Sequence, residues 1–192
     1  MESKADRRLK IQLLILRAQA GSESGFRDLF DMFKGLTCSY LNQLFNEIDR
    51  DDVQQQVWLK VYQQLPKLNS PYGFKRWLLQ ITHSVAFDHL KQSNRHYEVF
   101  TDNCIESEQI IDEKLMSELH DNFDSLHAAI NKLSFEHKEV VLLFYWQDFN
   151  CSDIAQILSC SVGTVKSRLF SARQYLSKFK LLNEHSMEIQ NG

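Results

Sequence analysis

The segment Asn150 to Arg173, NCSDIAQILSCSVGTVKSRLFSAR, leaves the chain few options, because it reads as two short helices meeting across a tight turn. Asn150 suits the N-cap of the first helix, with Asp153 near its positive end, and Ser161 suits the N-cap of the second. Ala155 is small enough to let the two backbones approach. In the second helix Val162, Val165, Leu169, Ala172 and Leu176 recur at spacings of three and four, which predicts one buried stripe. Two such helices cannot close a core alone, and the composition supplies more of the same. Only 6 Gly and 2 Pro among 192 residues leave little material for a turn-rich β-architecture, while 43% apolar residues can fill a core. The chain reads as all-α.

The stripe fixes the other face of the second helix. Gly163, Lys166, Ser167, Phe170, Ser171 and Arg173 are small or donor-bearing groups that suit a DNA major groove: Lys toward guanine edges or phosphate, Ser toward either, Phe against a thymine methyl. Each good base contact is worth about 1–3 kcal/mol of discrimination. A plain helical hairpin would leave Lys166 and Arg173 merely solvated, and an outward Phe170 favours the groove over it.

A net charge of −3 argues against a partner made of phosphates until its distribution is read. Residues 1–96 carry 14 basic and 10 acidic side chains, 97–124 carry 1 and 9, and 125–192 carry 7 and 6. The negative charge sits in one stretch, Tyr97 to Asp124, whose composition suits a solvated connector. Ile110, Ile111, Leu115, Met116 and Leu119 predict a short amphipathic helix within it. The expected division is therefore 1–96 as one domain, 97–124 as an acidic linker, 125–180 as a second domain, and 181–192 as a loose tail.

The first domain reads as helices near 7–19, 23–46, 51–65 and 72–93, separated at Gly21-Ser22, at Glu47 to Arg50, and at the Pro66 to Pro71 turn. The second reads as helices near 123–132, 135–147, 151–158 and 162–180. On the helix at 74–91, Phe74, Trp77, Leu78, Ile81 and Val85 share one side, while Arg76, Gln80, His83, Phe87 and Lys91 share the other, flanked by Lys75, Ser84, Arg95 and His96. A basic face with an aromatic in it can track a phosphate backbone while Phe87 or a loop group stacks on an unpaired base. Upstream, Val53, Val57, Val61 and Leu65 form a buried stripe, and Gln54, Gln55, Gln56, Gln63 and Gln64 beside Trp58 and Tyr62 form an outer surface fit to dock a protein.

Other chemistry finds no purchase. His83, His89 and His96 lack the spacing of a helical zinc site, and Cys38, Cys104, Cys151 and Cys160 contain no paired motif, so no metal, cofactor or disulfide framework is expected. The apolar run Ile11 to Leu16 is too short for a membrane span, and the charged N-terminus is unlike a signal sequence, which predicts a cytoplasmic protein without membrane insertion.

Taken in order, QAGSESGFRDLF from Gln19, DVQQQVWLKVY from Asp52, FKRWLLQITHSVAFDHLK from Phe74 and VGTVKSRLFSAR from Val162 resemble the extracytoplasmic-function group of sigma factors, within the sigma-70 family, across nearly the whole chain. The resemblance implies two helical domains, region 2 at roughly Asp52 to Arg95 and region 4 at roughly Leu126 to Lys180. It implies core RNA polymerase, through its β′ and β subunits, and promoter DNA as partners, with an anti-sigma factor besides. Asp52, Gln55 and Gln56 then face polymerase. Asn69 and Ser70, in a Lys67 to Gly73 loop that captures flipped bases, face the −10 DNA together with Lys75, Arg76, Ser84 and Lys91. Thr164, Lys166, Ser167, Phe170 and Arg173 face the −35 duplex. Family members often carry Glu at the place of Gln56 and Arg at the place of Ser171, which removes one charge contact to polymerase and leaves promoter preference open. For the acidic linker the resemblance allows the RNA exit path, a shield over the basic faces, or a plain tether.

Two other classes compete. A stand-alone helix-turn-helix regulator would use the Gln-rich helix as a dimer interface, but it leaves the basic stripe of the first half without a purpose. An enzyme would need a nucleophile-base pair, a phosphate-cradling glycine loop or metal spacing, and none is present in the sequence.

Overall fold

The computed structural model describes residues 4–45, 47–92 and 128–190, with side chains at 5–45, 50–92 and 128–177. The acidic stretch 97–124, with Cys104 and the helix expected through Ile110 and Leu119, lies outside those residues, as do Arg95, His96 and the start of the helix expected near 123. The chain divides into two compact units, Met1–Glu98 and Val99–Gly192. Among the described residues every regular element is helical.

The first unit contains α1 (Lys4–Gln19), α2 (Glu23–Leu44), α3 (Glu47–Gln64), two 3₁₀ turns (Leu65–Lys67 and Pro71–Gly73) and α4 (Phe74–Gln92). Gly21, at φ +86°, ends α1 in the left-handed region that a Cβ disfavours. That conformation lets the Ser22 N–H reach the Arg17 carbonyl and the Gly21 N–H reach the Ala18 carbonyl, each at 3.1 Å. Ser22 then caps α2 by accepting from the Gly25 N–H at 3.1 Å. Gly25 serves the crossing of α1 and α2, since a Cβ there would lie 2.9 Å from Arg17 Cβ and 3.1 Å from the Ala18 nitrogen.

Val53, Val57, Val61 and Leu65 are buried, as their spacing predicts. Trp58 departs from expectation. Its place beside Tyr62 predicts the outer face, yet it is buried, its indole N–H donating to Thr37 Oγ1 at 3.2 Å. Phe26 and Phe30 meet it edge-on, with centroids at 6.2 and 4.9 Å. At 100° per residue Trp58 borders the valine stripe, and a ring that long reaches the core from there. In α4, Phe74, Leu78, Ile81 and Val85 are joined in the core by Leu79, Thr82 and Ala86, a wider buried face than expected, while Trp77 is only half-buried. Residues 47–50, expected as a joint, open α3 instead, for nothing in Glu-Ile-Asp-Arg breaks a helix.

The second unit runs from a helical stretch at 128–131 through α5 (Phe135–Val141), a π-helical turn (Leu142–Trp146), α6 (Cys151–Ile157) and α7 (Val162–Gln190). The single helix expected over 135–147 therefore widens at its end, where the Gln147 N–H bonds the Leu142 carbonyl at 3.1 Å. The wider turn lets Leu142 and Leu143 follow Val140 and Val141 into the core. Asn150 caps α6 by accepting from the Asp153 N–H at 2.9 Å, and Ser161 caps α7 by accepting from the Thr164 N–H at 2.9 Å. Between them Ser159, at φ +53°, makes the turn. Val165, Leu169, Ala172 and Leu176 form the buried stripe, but Val162, the first residue of α7, is 40% exposed. The tail expected beyond 180 continues α7 to Gln190, in keeping with a stretch that lacks Pro and Gly.

Candidate nucleic-acid interface

In the first unit Asn69 and Ser70 stand exposed between the two 3₁₀ turns, each of which has a proline at its start. Proline fixes φ and offers no N–H, so the loop has few ways to rearrange and few backbone bonds of its own. The loop is held from outside: the Gln19 side-chain amide donates to the Leu65 carbonyl at 3.0 Å and to the Leu68 carbonyl at 2.8 Å. Beside Ser70, Tyr72 is 77% exposed, an aromatic ring on a fixed turn that the sequence reading did not single out. Its only local signal is its place between Pro71 and Gly73.

Along α4, Arg76, Gln80, His83, Ser84, Phe87 and Lys91 fall on one side at 100° per residue. Gln80, Ser84 and Lys91 are exposed, and Arg76, His83 and Phe87 are half-buried. Arg76 lies back over Gly73, whose Cβ position would be 3.5 Å from its Nη2. The Lys91 ammonium sits 4.4 Å from the centroid of the Phe87 ring, and the His83 ring centroid lies 5.8 Å from the same point, the two ring planes tilted by 35°. Phe87 is thus covered by a cation rather than bare, which makes Tyr72 the more accessible stacking surface. Lys75, in the first turn and angularly on the side of Leu79 and Ala86, is exposed.

In the second unit Gly163, Lys166 and Ser171 are exposed on α7, and Thr164, Ser167 and Phe170 are half-buried. Thr164 and Ser161 share a hydroxyl contact of 2.9 Å, and Ser167 donates to the Thr164 carbonyl at 3.1 Å. Both Thr164 and Ser167 therefore keep acceptor capacity outward while a hydroxyl contact or hydrogen bond ties each to the helix start. Arg173 lies on nearly the same side as Lys166 but its side chain turns inward. Its Nε donates to the Tyr145 hydroxyl at 2.8 Å, and its guanidinium carbon lies 5.6 Å from the centroids of Phe144 and Tyr145. Angularly it borders the Leu169–Leu176 stripe, a signal that the residue numbers alone contain.

On α3, Asp52, Gln55, Gln56 and Gln63 are exposed on one face, and at its centre Leu59 is 58% exposed. An exposed apolar residue surrounded by three glutamines and one carboxylate has the composition of a protein interface with its rim. The sequence reading named the rim and missed Leu59.

Known proteins match both units. The sigma-70 region 2 family matches residues 29–96, and the sigma-70 region 4 family matches residues 123–176. The ECF RNA polymerase sigma-E factor of Haemophilus influenzae is 27% identical over 179 residues, covering 86% of this chain and 92% of the relative. The ECF RNA polymerase sigma factor SigW of Bacillus subtilis is 22% identical over 187 residues, covering 88% and 96%. Among solved structures, CnrH in complex with the cytosolic domain of CnrY is similar with a TM-score of 0.63 at 22% identity, covering 91% of this chain and 98% of that one. The sigma factor RpoE from Bartonella quintana, in complex with the anti-sigma factor NepR, is similar with a TM-score of 0.60 at 22% identity, covering 80% and 95%. At such identity these two structures speak to the fold.

Proposed function

The chain belongs to the extracytoplasmic-function group of the sigma-70 family, as an RNA polymerase sigma factor, and from that premise we propose how its surfaces share the work of initiation. The exposed face of α3, with Asp52, Gln55 and Gln56 around Leu59, docks core polymerase. The Leu65–Gly73 loop, through Asn69, Ser70 and Tyr72, receives unpaired −10 bases, and Lys75, Arg76, Ser84 and Lys91 track the neighbouring phosphates. Stacking on Tyr72 contributes about 1–3 kcal/mol per base. In the second unit Lys166, Ser167, Thr164 and Phe170 read the −35 duplex, and Arg173 holds α7 to the π-helical turn rather than reading bases.

The observation that carries this reading is the division of labour: residues matched by region 2 present the constrained Asn69–Tyr72 loop, while those matched by region 4 present a capped helix with an open polar face. Nucleotide addition belongs to polymerase, so the chain acts as an initiation factor without catalytic groups of its own, in the cytoplasm where polymerase works. Among the described residues no helix is long and apolar enough to cross a membrane. An anti-sigma factor is the expected negative regulator, by likeness to the Bartonella pair. The rival reading as a stand-alone regulator is not favoured, because the first half matches region 2.

Binding to core polymerase, followed by fluorescence anisotropy, tests the docking face. Asp52→Arg or Leu59→Asp weakens it by about tenfold or more, the scale of one interface residue's loss. Equal binding by both variants removes α3 from the interface.

A further inference from the structure

We infer that Gln19, a residue outside the region 2 match, is a positioning residue for −10 recognition: it sets the shape of the loop that presents Asn69, Ser70 and Tyr72. The inference rests on the sigma-factor reading above. A side-chain amide has two N–H donors, and both are spent here, one on the Leu65 carbonyl at 3.0 Å and one on the Leu68 carbonyl at 2.8 Å. The Leu65 carbonyl also accepts from the Leu68 N–H at 3.1 Å. Leu68 is therefore held at its donor and at its acceptor, immediately before Asn69.

The clamp itself is rigid. Gln19 lies in the last turn of α1, which the left-handed Gly21 and the Ser22 to Arg17 hydrogen bond close firmly. α1 packs against both 3₁₀ turns, so the helix supports the loop along its length. The prolines at 66 and 71 remove two backbone donors the loop would otherwise use to hold itself, and the side chain from α1 replaces them. A residue bridging 46 and 49 positions of sequence thus decides where the loop's exposed groups point.

The test compares wild type with Gln19→Met, which keeps length and loses both donors, and with Gln19→Glu, which turns an acceptor toward two carbonyls. Run-off transcription with core polymerase is measured on promoters that share one −35 element and differ by single −10 bases. In both variants the rate ratio between the best and the substituted −10 sequences falls by on the order of tenfold, while binding to core polymerase and to −35 duplex is unchanged. Amide exchange at Leu68 in the full chain speeds up several-fold. A role in stability alone would lower all promoters equally and keep the ratio, which overturns the proposal. So does wild-type-like exchange at Leu68 in Gln19→Met. A wild-type chain that initiates on no promoter overturns the sigma-factor reading, and the proposal with it.

Discussion

Arg173 reaches from α7 to Tyr145, its Nε donating to the tyrosine hydroxyl at 2.8 Å, with the guanidinium beside the rings of Tyr145 and Phe144. The middle of α7 is therefore fastened to the π-helical turn by a charged hydrogen bond and by ring contact. Lys166, about two turns earlier on nearly the same side of the helix, is exposed.

The two cations consequently fail in different ways. Tyr145→Phe lowers the stability of the second unit by about 1.5–3 kcal/mol, the worth of a hydrogen bond to a charged group, and Arg173→Met does the same. Lys166→Ala leaves stability within about 0.5 kcal/mol and reduces the slope of log affinity against log salt for −35 duplex by about 1. Denaturant melts and salt titrations separate them. A melt lowered by Lys166→Ala, or left alone by Tyr145→Phe, contradicts the assignment.

Trp58 and Thr37 join α3 to α2 inside the first unit. Thr37→Val keeps the shape, removes the acceptor and leaves a buried indole N–H unpaired, at a cost of about 1–3 kcal/mol. For a unit of this size each kcal/mol lowers the melting temperature by about 4–8 °C. Thr37→Ser retains the bond and stays close to wild type by thermal melting.

Much of this was legible in the sequence because it is local. Asn150, Ser161 and the periodic Val, Leu and Ala positions announce their helices, caps and buried faces within a few residues of themselves. Trp58 turns inward against expectation because it borders a stripe, where side-chain length decides which way a residue turns, and Arg173 borders another. Gln19 and Leu59 left no local trace, and Tyr72 only its place between Pro71 and Gly73. Gln19 acts across 46 and 49 residues, and the exposure of Tyr72 and Leu59 depends on what the fold leaves uncovered.

Ser159 occupies the left-handed region, at φ +53°, in the turn between α6 and α7, where the Cys160 N–H bonds the Ala155 carbonyl at 3.0 Å. A Cβ in that region costs about 1 kcal/mol. Ser159→Gly therefore stabilises the second unit, by somewhat less than that figure because glycine loses more chain entropy on folding. Equilibrium unfolding checks the direction, and Ser159→Val shows the opposite sign.

Lys138 is held by burial below its ordinary pKa of 10.5, with its ammonium 3.3 Å from Asn131 Oδ1. Between the lowered folded value and 10.5 the unfolded chain binds more protons than the folded one, so this group's contribution to stability rises with pH across that window. The penalty is full below the folded value. Lys138→Met removes the dependence, and the difference between the two stability-versus-pH curves narrows as pH approaches 10.5. A difference that is flat or widens with pH contradicts the burial argument.

Run-off transcription with purified core polymerase over a promoter library, with and without this chain, tests the central claim most directly. Defined start sites appear only when the chain is added, and they lose their −35 preference with Lys166→Ala combined with Phe170→Ala. Tight binding to duplex DNA without polymerase, together with core polymerase that neither binds the chain nor initiates with it, would contradict the account.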